Sequence, residues 1–220
     1  MGSGKSVISE QTTTNERETA GSIFRVARDL FYENGYCNVT TRTIAQRAYV
    51  NRGLITYYYS SKEVLGNQIC LEINNWMFQE ALKHKLSVNA TSAERLYAYS
   101  ILAWRAFNLP ENAVRRRFYF EFMHSTSTME PPSAYFMKIS AEVIRDYHLH
   151  VTDAQQALYC TIMKGAERLL SIKLHRHELD ITTDDIVKSI VSGYFFNIGI
   201  SSTAIKKIIK HGDQMVAERS

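Results

Sequence analysis

The sequence predicts an all-α protein, with a small N-terminal helix-turn-helix domain of three helices and a C-terminal helical bundle. Three observations carry that prediction. Apolar residues recur at helical spacing along most of the 220 residues. With only 10 glycines and 3 prolines, the chain lacks the turn residues that an all-β plan demands. Helix N-cap signals precede the periodic segments, and no segment reads convincingly as a strand.

Residues 1–13 are polar and patternless and read as a flexible leader. The opening Met1-Gly2-Ser3-Gly4-Lys5-Ser6 imitates the tail of a phosphate-binding loop, but the motif's first glycine and preceding strand are missing. It also fits the loose myristoylation pattern, which chance produces often. From Asn15, with Glu18 completing a capping box, Ile23, Val26, Ala27, Leu30 and Phe31 repeat at helical spacing until Gly35 supplies a stop.

A short helix follows from Thr40, its N-cap, to Ala48, with Ile44, Ala45 and Ala48 facing inward. Tyr49-Val50-Asn51 connects it to a second short helix, Arg52 to Tyr58, capped by Asn51. Two short helices with so brief a connection have helix-turn-helix geometry. Ser60 and Glu63 form another box, opening a long helix through Leu65, Ile69, Ile73 and Trp76 to about Leu86. Further helices are expected near 92–108, 111–126, 132–148, 153–175, 183–198 and 202–217. Pro110, the Pro131-Pro132 pair and a Thr152/Gln155 box mark several starts. The resulting division is 14–61 for the helix-turn-helix domain and 62–220 for a helical domain, which the resemblance described below implies is for ligand binding and dimerisation.

The net charge of +4 is modest, but its distribution is not even. No Asp or Glu occurs between Glu33 and Glu63, a stretch that holds Arg42, Arg47, Arg52 and Lys62. Such an island is the footprint of a phosphate-contacting surface. Cys37, Cys70 and Cys160 lie far apart with no CxxC spacing, which argues for buried thiols in a reducing, cytoplasmic setting. No apolar run reaches the roughly 20 residues that span a bilayer, and no secretory signal opens the chain. His148-x-His150 and His175-x-His177-Glu178 invite a metal reading. Histidines two apart on a helix point to different faces, so no metal and no cofactor is expected. No nucleophile–base spacing, phosphate loop or metal cluster supports an enzyme, and catalytic residues are expected to be none.

Ala27-x-x-Leu30-Phe31-x-x-x-Gly35-Tyr36, Thr40-Thr41-Arg42-x-Ile44-Ala45 and Tyr57-Tyr58-Tyr59-x-Ser61-Lys62-Glu63-x-Leu65 together resemble the DNA-binding segment of the TetR family of regulators. The resemblance covers about a fifth of the chain; total length and helical layout are also similar. It implies a homodimer on a palindromic double-stranded DNA operator, behaving as a repressor released by a small-molecule effector. A helix-turn-helix adaptor or nucleoid protein without an effector is the alternative.

In such a head the second short helix enters the major groove, its N-terminal residues nearest the base edges. The expected DNA-binding set is Thr41, Arg42, Asn51, Arg52, Gly53, Leu54, Thr56, Tyr57, Tyr58 and Lys62. Arg52 is the leading base reader, because a guanidinium grips guanine O6 and N7 with two bonds. Asn51 serves as cap, base contact or phosphate contact, and Leu54 meets a thymine methyl or sugar. Thr41, Arg42, Tyr57, Tyr58 and Lys62 suit the phosphate backbone. Two positions depart from the family pattern: Tyr49 stands where glycine is usual in the turn, and Thr56 where tyrosine is usual in the recognition helix.

The helices at 153–175 and 183–198 are apolar around most of their circumference and need two partners. The resemblance supplies a second subunit, in a four-helix interface expected to include Leu158, Ile162, Gly165, Leu169, Ile190 and Tyr194. Burial inside one monomer is the alternative. The aromatic-rich middle helices suggest an apolar cavity for a small apolar or aromatic effector, with Trp104, Phe107, Phe122, Met123, His124 and Met163 as candidates. Plain core packing is the competing reading of each. Arg115-Arg116-Arg117 reads as a solvated run, with contact to the head as a second role.

Overall fold

A computed structural model describes residues 4–127 and 132–218, with side chains from Asn15 onward. The expected leader residues Met1–Ser3 and the expected helix signal at Pro131 lie outside the described residues. Ten α-helices make up the described chain: α1 (Gly4–Asn34), α2 (Thr41–Arg47), α3 (Arg52–Tyr59), α4 (Lys62–Leu82), α5 (Ser92–Asn108), α6 (Ala113–Ser125), α7 (Ala134–Asp146), α8 (Asp153–His175), α9 (Thr183–Asn197) and α10 (Ser202–Ala217). A 3₁₀ turn, Pro110–Asn112, precedes α6. No strand occurs among the described residues.

Helix boundaries coincide with the sequence reading where caps are local. Thr91 with Glu94, Thr152 with Gln155 and Thr182 with Asp185 form reciprocal capping boxes at the starts of α5, α8 and α9. Differences arise where no local signal exists. Helical backbone begins at Gly4, not at the expected Asn15, and α4 ends at Leu82, before Leu86. The cap of α4 is Ser61, whose Oγ accepts from the Val64 N–H at 3.1 Å. Ser60, expected in that role, instead terminates α3 with a φ of 58°.

The described chain forms two compact units. One comprises the chain up to Ile69 together with the segment that starts at Arg117; the other comprises Cys70–Arg116 and the segment holding α7 to α10. In the first unit α1, α2 and α3 pack on one another around Ile23, Ala27, Phe31, Ile44 and Ile55, all fully buried. Each such aliphatic or aromatic side chain removed from water contributes about 2 kcal/mol. α6 completes this core: Phe118 stacks on Phe31 at 5.6 Å, and Phe122 meets Tyr36 edge-on at 5.0 Å. Tyr59 donates its hydroxyl to the Ala20 carbonyl at 2.7 Å, tying α3 to α1.

Gly35 ends α1 with a φ of +82°, its N–H bonded to the Phe31 carbonyl at 3.0 Å. The positive φ favours glycine, and a Cβ there would sit 2.6 Å from Glu121 Oε2 and displace that carboxylate. In the second unit α5 packs against α7, α9 and α10, and α9 also against α8 and α10. Tyr97 anchors α5 to α10 by donating its hydroxyl to Asp213 at 2.5 Å.

Candidate nucleic-acid interface and effector cavity

The α2–turn–α3 segment is built from two capped helices. Thr40 Oγ1 accepts from the Thr43 N–H at 3.1 Å, and Asn51 Oδ1 accepts from the Leu54 N–H at 3.0 Å. Asn51 thus spends its carbonyl oxygen on the cap. A Cβ on Gly53 would come within 3.1 Å of that same oxygen, so a residue without one suits the cap. Between the helices Tyr49 adopts a φ of 55° with its side chain 95% exposed. The turn therefore keeps the left-handed geometry a glycine would supply, at a conformational cost.

Arg42, Asn51, Arg52, Gly53, Thr56 and Tyr57 are exposed, while Thr41, Leu54 and Tyr58 are half-buried. Ile55 and Tyr59, on the opposite side of α3, are buried. The rings of Tyr57 and Tyr58 meet edge-on at 4.9 Å. The outward side of α3 therefore begins with a guanidinium and ends with a phenol pair. Lys62 is placed differently from the other expected contacts. Its ammonium donates to the carbonyls of Tyr36 at 3.1 Å and Val39 at 3.0 Å and lies 4.1 Å from the Tyr36 ring centre. Burial lowers its pKa from the ordinary lysine value.

Two side chains of α6 reinforce the same corner. Arg117 donates to the Tyr32 carbonyl, and Glu121 Oε2 accepts from the Tyr36 N–H at 2.8 Å. Arg117 thereby satisfies a carbonyl at the C-terminal end of α1, where carbonyls lack helical partners. Composition indicated only a run of three arginines; which carbonyl each reaches depends on tertiary packing. Cys37, in this corner, is exposed, unlike Cys70 and Cys160. A turn residue beside a helix end has too little chain around it to be covered, so the expectation of three buried thiols fails at this one.

The second unit contains a narrow cavity with about 550 Å³ of space, part of it open to solvent. Trp104 and Met163 line it. Four other expected lining residues do not. Phe107 is fully buried against Trp104, with ring centres 5.5 Å apart. Phe122 and Met123 are buried in the first unit, and His124 is exposed there. The aromatic richness of α6 therefore serves packing of the first unit. Residues not anticipated complete the lining: Asn74, Met77 and Phe78 from α4, Phe136 from α7, and Lys164 with Glu167 from α8. Lys164 Nζ lies 2.8 Å from Glu167 Oε2, both side chains nearly buried.

On α8, Leu158, Ile162 and Leu169 are 55%, 50% and 56% exposed, and Phe196 on α9 is 65% exposed. A Cβ on Gly165 or Gly193 would meet nothing within 4 Å. Two residues expected on this face point elsewhere. Ile190 lines the cavity. Tyr194 is 1% exposed, shares a hydrogen bond with Ser140 and meets Phe136 edge-on at 5.3 Å. Both lie on the side of α9 that the rest of the second unit covers, and apolar residues around most of its circumference hid which side that was. Among the described residues no cluster of three or more His, Cys, Asp or Glu is arranged to hold a metal ion. No helix among them is long and apolar enough to cross a membrane.

Residues 23–69, which span this capped helix pair and its scaffold, match the family described as bacterial regulatory proteins, tetR family. Over these residues the chain is similar to the TetR family. A similar protein is the HTH-type transcriptional regulator QacR of Staphylococcus aureus (strain Mu50 / ATCC 700699), 29% identical over 128 residues. That alignment takes in 58% of this chain and 65% of QacR, less than two thirds of the relative's length. Among solved structures, RolR in complex with resorcinol is similar with a TM-score of 0.53 at 15% identity, covering 89% of this chain and 95% of RolR. Ligand-free RolR is similar with a TM-score of 0.54 at 13% identity, covering 86% and 96%. At such identities the likeness speaks to the fold alone.

Proposed function

We propose that this chain is a ligand-responsive, DNA-binding transcriptional regulator of the TetR family. In this reading it acts in the cytoplasm as a homodimeric repressor, released from a palindromic operator when a small apolar or aromatic molecule enters the cavity of the second unit. The observation that carries the reading is the exposed, acid-free face of α3, which presents Arg52 at its first residue on a rigid, fully packed three-helix scaffold.

Arg52 reads a guanine through O6 and N7, and Leu54 contacts a thymine methyl or sugar. Thr41, Arg42, Tyr57 and Tyr58 hold phosphates and set the register. Two such heads, related by the dimer axis, match a two-fold operator. Effector control requires differential affinity: the molecule must bind better to the state that fits the operator less well. The resorcinol carried by RolR, and the name of QacR as a transcriptional regulator, agree with a small-molecule effector and a DNA target.

Selection of bound sequences from random duplexes, at low salt and without added metabolites, tests the reading. A two-fold symmetric consensus is expected. Arg52→Ala is expected to weaken binding by about 1–3 kcal/mol and to relax one base position per half-site. Absence of any consensus would overturn the proposal.

A further inference from the structure

We propose that Tyr49 is a further DNA contact: its phenol hydroxyl donates to a phosphate oxygen of the operator backbone while its ring lies against the neighbouring sugar. This rests on reading α3 as the recognition helix. α2 closes with two backbone bonds, from the Val50 N–H to the Ala45 carbonyl at 3.0 Å and from the Tyr49 N–H to the Gln46 carbonyl at 3.3 Å. That closure puts the residue at the Tyr49 position in the left-handed region, where glycine is the usual occupant. Tyr49 takes a φ of 55° there and is 95% exposed. The same pair of bonds recurs after α7 and α8, with His148 and His177 in the left-handed position. Histidine enters that region more readily than most residues, whereas a bulky side chain there is an exception.

Neither packing nor backbone preference thus accounts for a tyrosine in this turn. A strained residue with an uncovered side chain fits a site whose partner arrives from outside the protomer. Its surroundings indicate which partner. Tyr49 lies in the stretch between Glu33 and Glu63 that holds no acid, three residues before Arg52. Three residues span at most about 11 Å of chain, less than the roughly 12 Å breadth of a major groove. With Arg52 at the base edges, the phenol of Tyr49 falls at the groove wall, which is sugar and phosphate. A hydroxyl donating to an anionic oxygen makes a charge-assisted bond. Such a contact sets register rather than sequence, and a neutral phenol releases no counterion.

Wild type, Tyr49→Phe and Tyr49→Gly are titrated by fluorescence anisotropy against two duplexes: the one the wild type selects from random sequence, and a scrambled one of equal length. Tyr49→Phe keeps the ring and is expected to bind both duplexes about tenfold more weakly, with salt slope and melting temperature unchanged. Tyr49→Gly is expected to melt no lower than the wild type yet to bind at least about tenfold more weakly. A purely structural role would move stability and affinity together. Neutral methylphosphonates placed singly along the selected duplex locate the contact: at one position per half-site the wild type loses affinity and Tyr49→Phe loses no more. Tyr49→Phe binding the selected duplex as tightly as the wild type would overturn the contact while leaving the reading of α3 intact. A loss confined to the selected duplex would make Tyr49 a reader of bases and overturn the phosphate contact equally. If the wild type selects no duplex, the reading of α3 falls and this contact falls with it.

Discussion

Lys62 closes the corner between α1 and α2 by donating to the carbonyl oxygen of Tyr36 while its ammonium rests over the same residue's ring. With the Val39 carbonyl as second acceptor, two of its three N–H donors are committed inside the first unit. Lys62→Met is therefore expected to destabilise the fold by about 1–3 kcal/mol, because it leaves two half-buried carbonyls without their charged donor. Urea unfolding measures that loss. Operator affinity of the folded variant should keep its salt dependence, whereas Arg42→Ala, at an exposed position, should reduce the log–log slope by about one unit. A shallower slope for Lys62→Met with unchanged stability would return Lys62 to the phosphate contacts.

Tyr49 tests the turn. A tyrosine in the left-handed region costs about 1–2 kcal/mol relative to right-handed backbone, and its exposed ring gains little packing in return. Glycine adopts that φ freely but loses more entropy on folding, by about 0.5–1 kcal/mol. Tyr49→Gly is thus expected to stabilise by about 0.5 kcal/mol net, and Tyr49→Val, stiffer at Cβ, to destabilise. Thermal unfolding of the three proteins checks the order. A glycine variant that melts below the wild type would mean the tyrosine side chain holds the turn by some other contact.

These two residues also mark what could be read from sequence and what could not. Asn51, Thr40, Thr152 and Gln155 act on backbone groups three residues away, so their caps and the spans of α2, α3 and α8 are legible locally. The positive φ of Tyr49 falls where the resemblance places a glycine. Lys62, Arg117 and Glu121 bond across 23 to 85 residues, so no local pattern announces their partners. The cavity is less legible still. Phe122 and Trp104 are both aromatic residues on middle helices, but one packs against Tyr36 and the other lines the cavity. Periodicity says that a face is apolar; it does not say against what.

Acid sensitivity is expected to centre on the Glu94 carboxylate in the second unit. Burial pushes its pKa up, but the Thr91 N–H, the His211 imidazole and the Thr91 hydroxyl outweigh burial and hold the carboxyl below the usual glutamate value. The Thr91 and His211 bonds are 2.8 Å each. A folded pKa lower than the unfolded one means that the group's stabilisation is complete above the unfolded value and is lost as pH falls through the folded value. Glu94→Gln should flatten the acid limb of a stability–pH curve. An identical acid limb in the variant would shift the effect to other carboxylates.

The α8–α9 face gives the sharpest contrast between two apolar residues. Ile162 is half exposed in the protomer, beside Leu158 and Gly165 with open space around it, whereas Tyr194 is covered and bonded to Ser140. If a second copy covers this face, two-fold symmetry makes each substitution count twice. Ile162→Glu is then expected to yield a monomer at micromolar concentration in sedimentation, with helical content unchanged. Tyr194→Ala is expected to do the reverse: it should cost the protomer about 3 kcal/mol or more by opening a cavity and orphaning a hydroxyl, while the folded fraction still dimerises. A dimer that survives Ile162→Glu and Phe196→Glu together would place the contact on another surface of the chain, because two buried carboxylates per protomer cannot be tolerated in a well-packed interface.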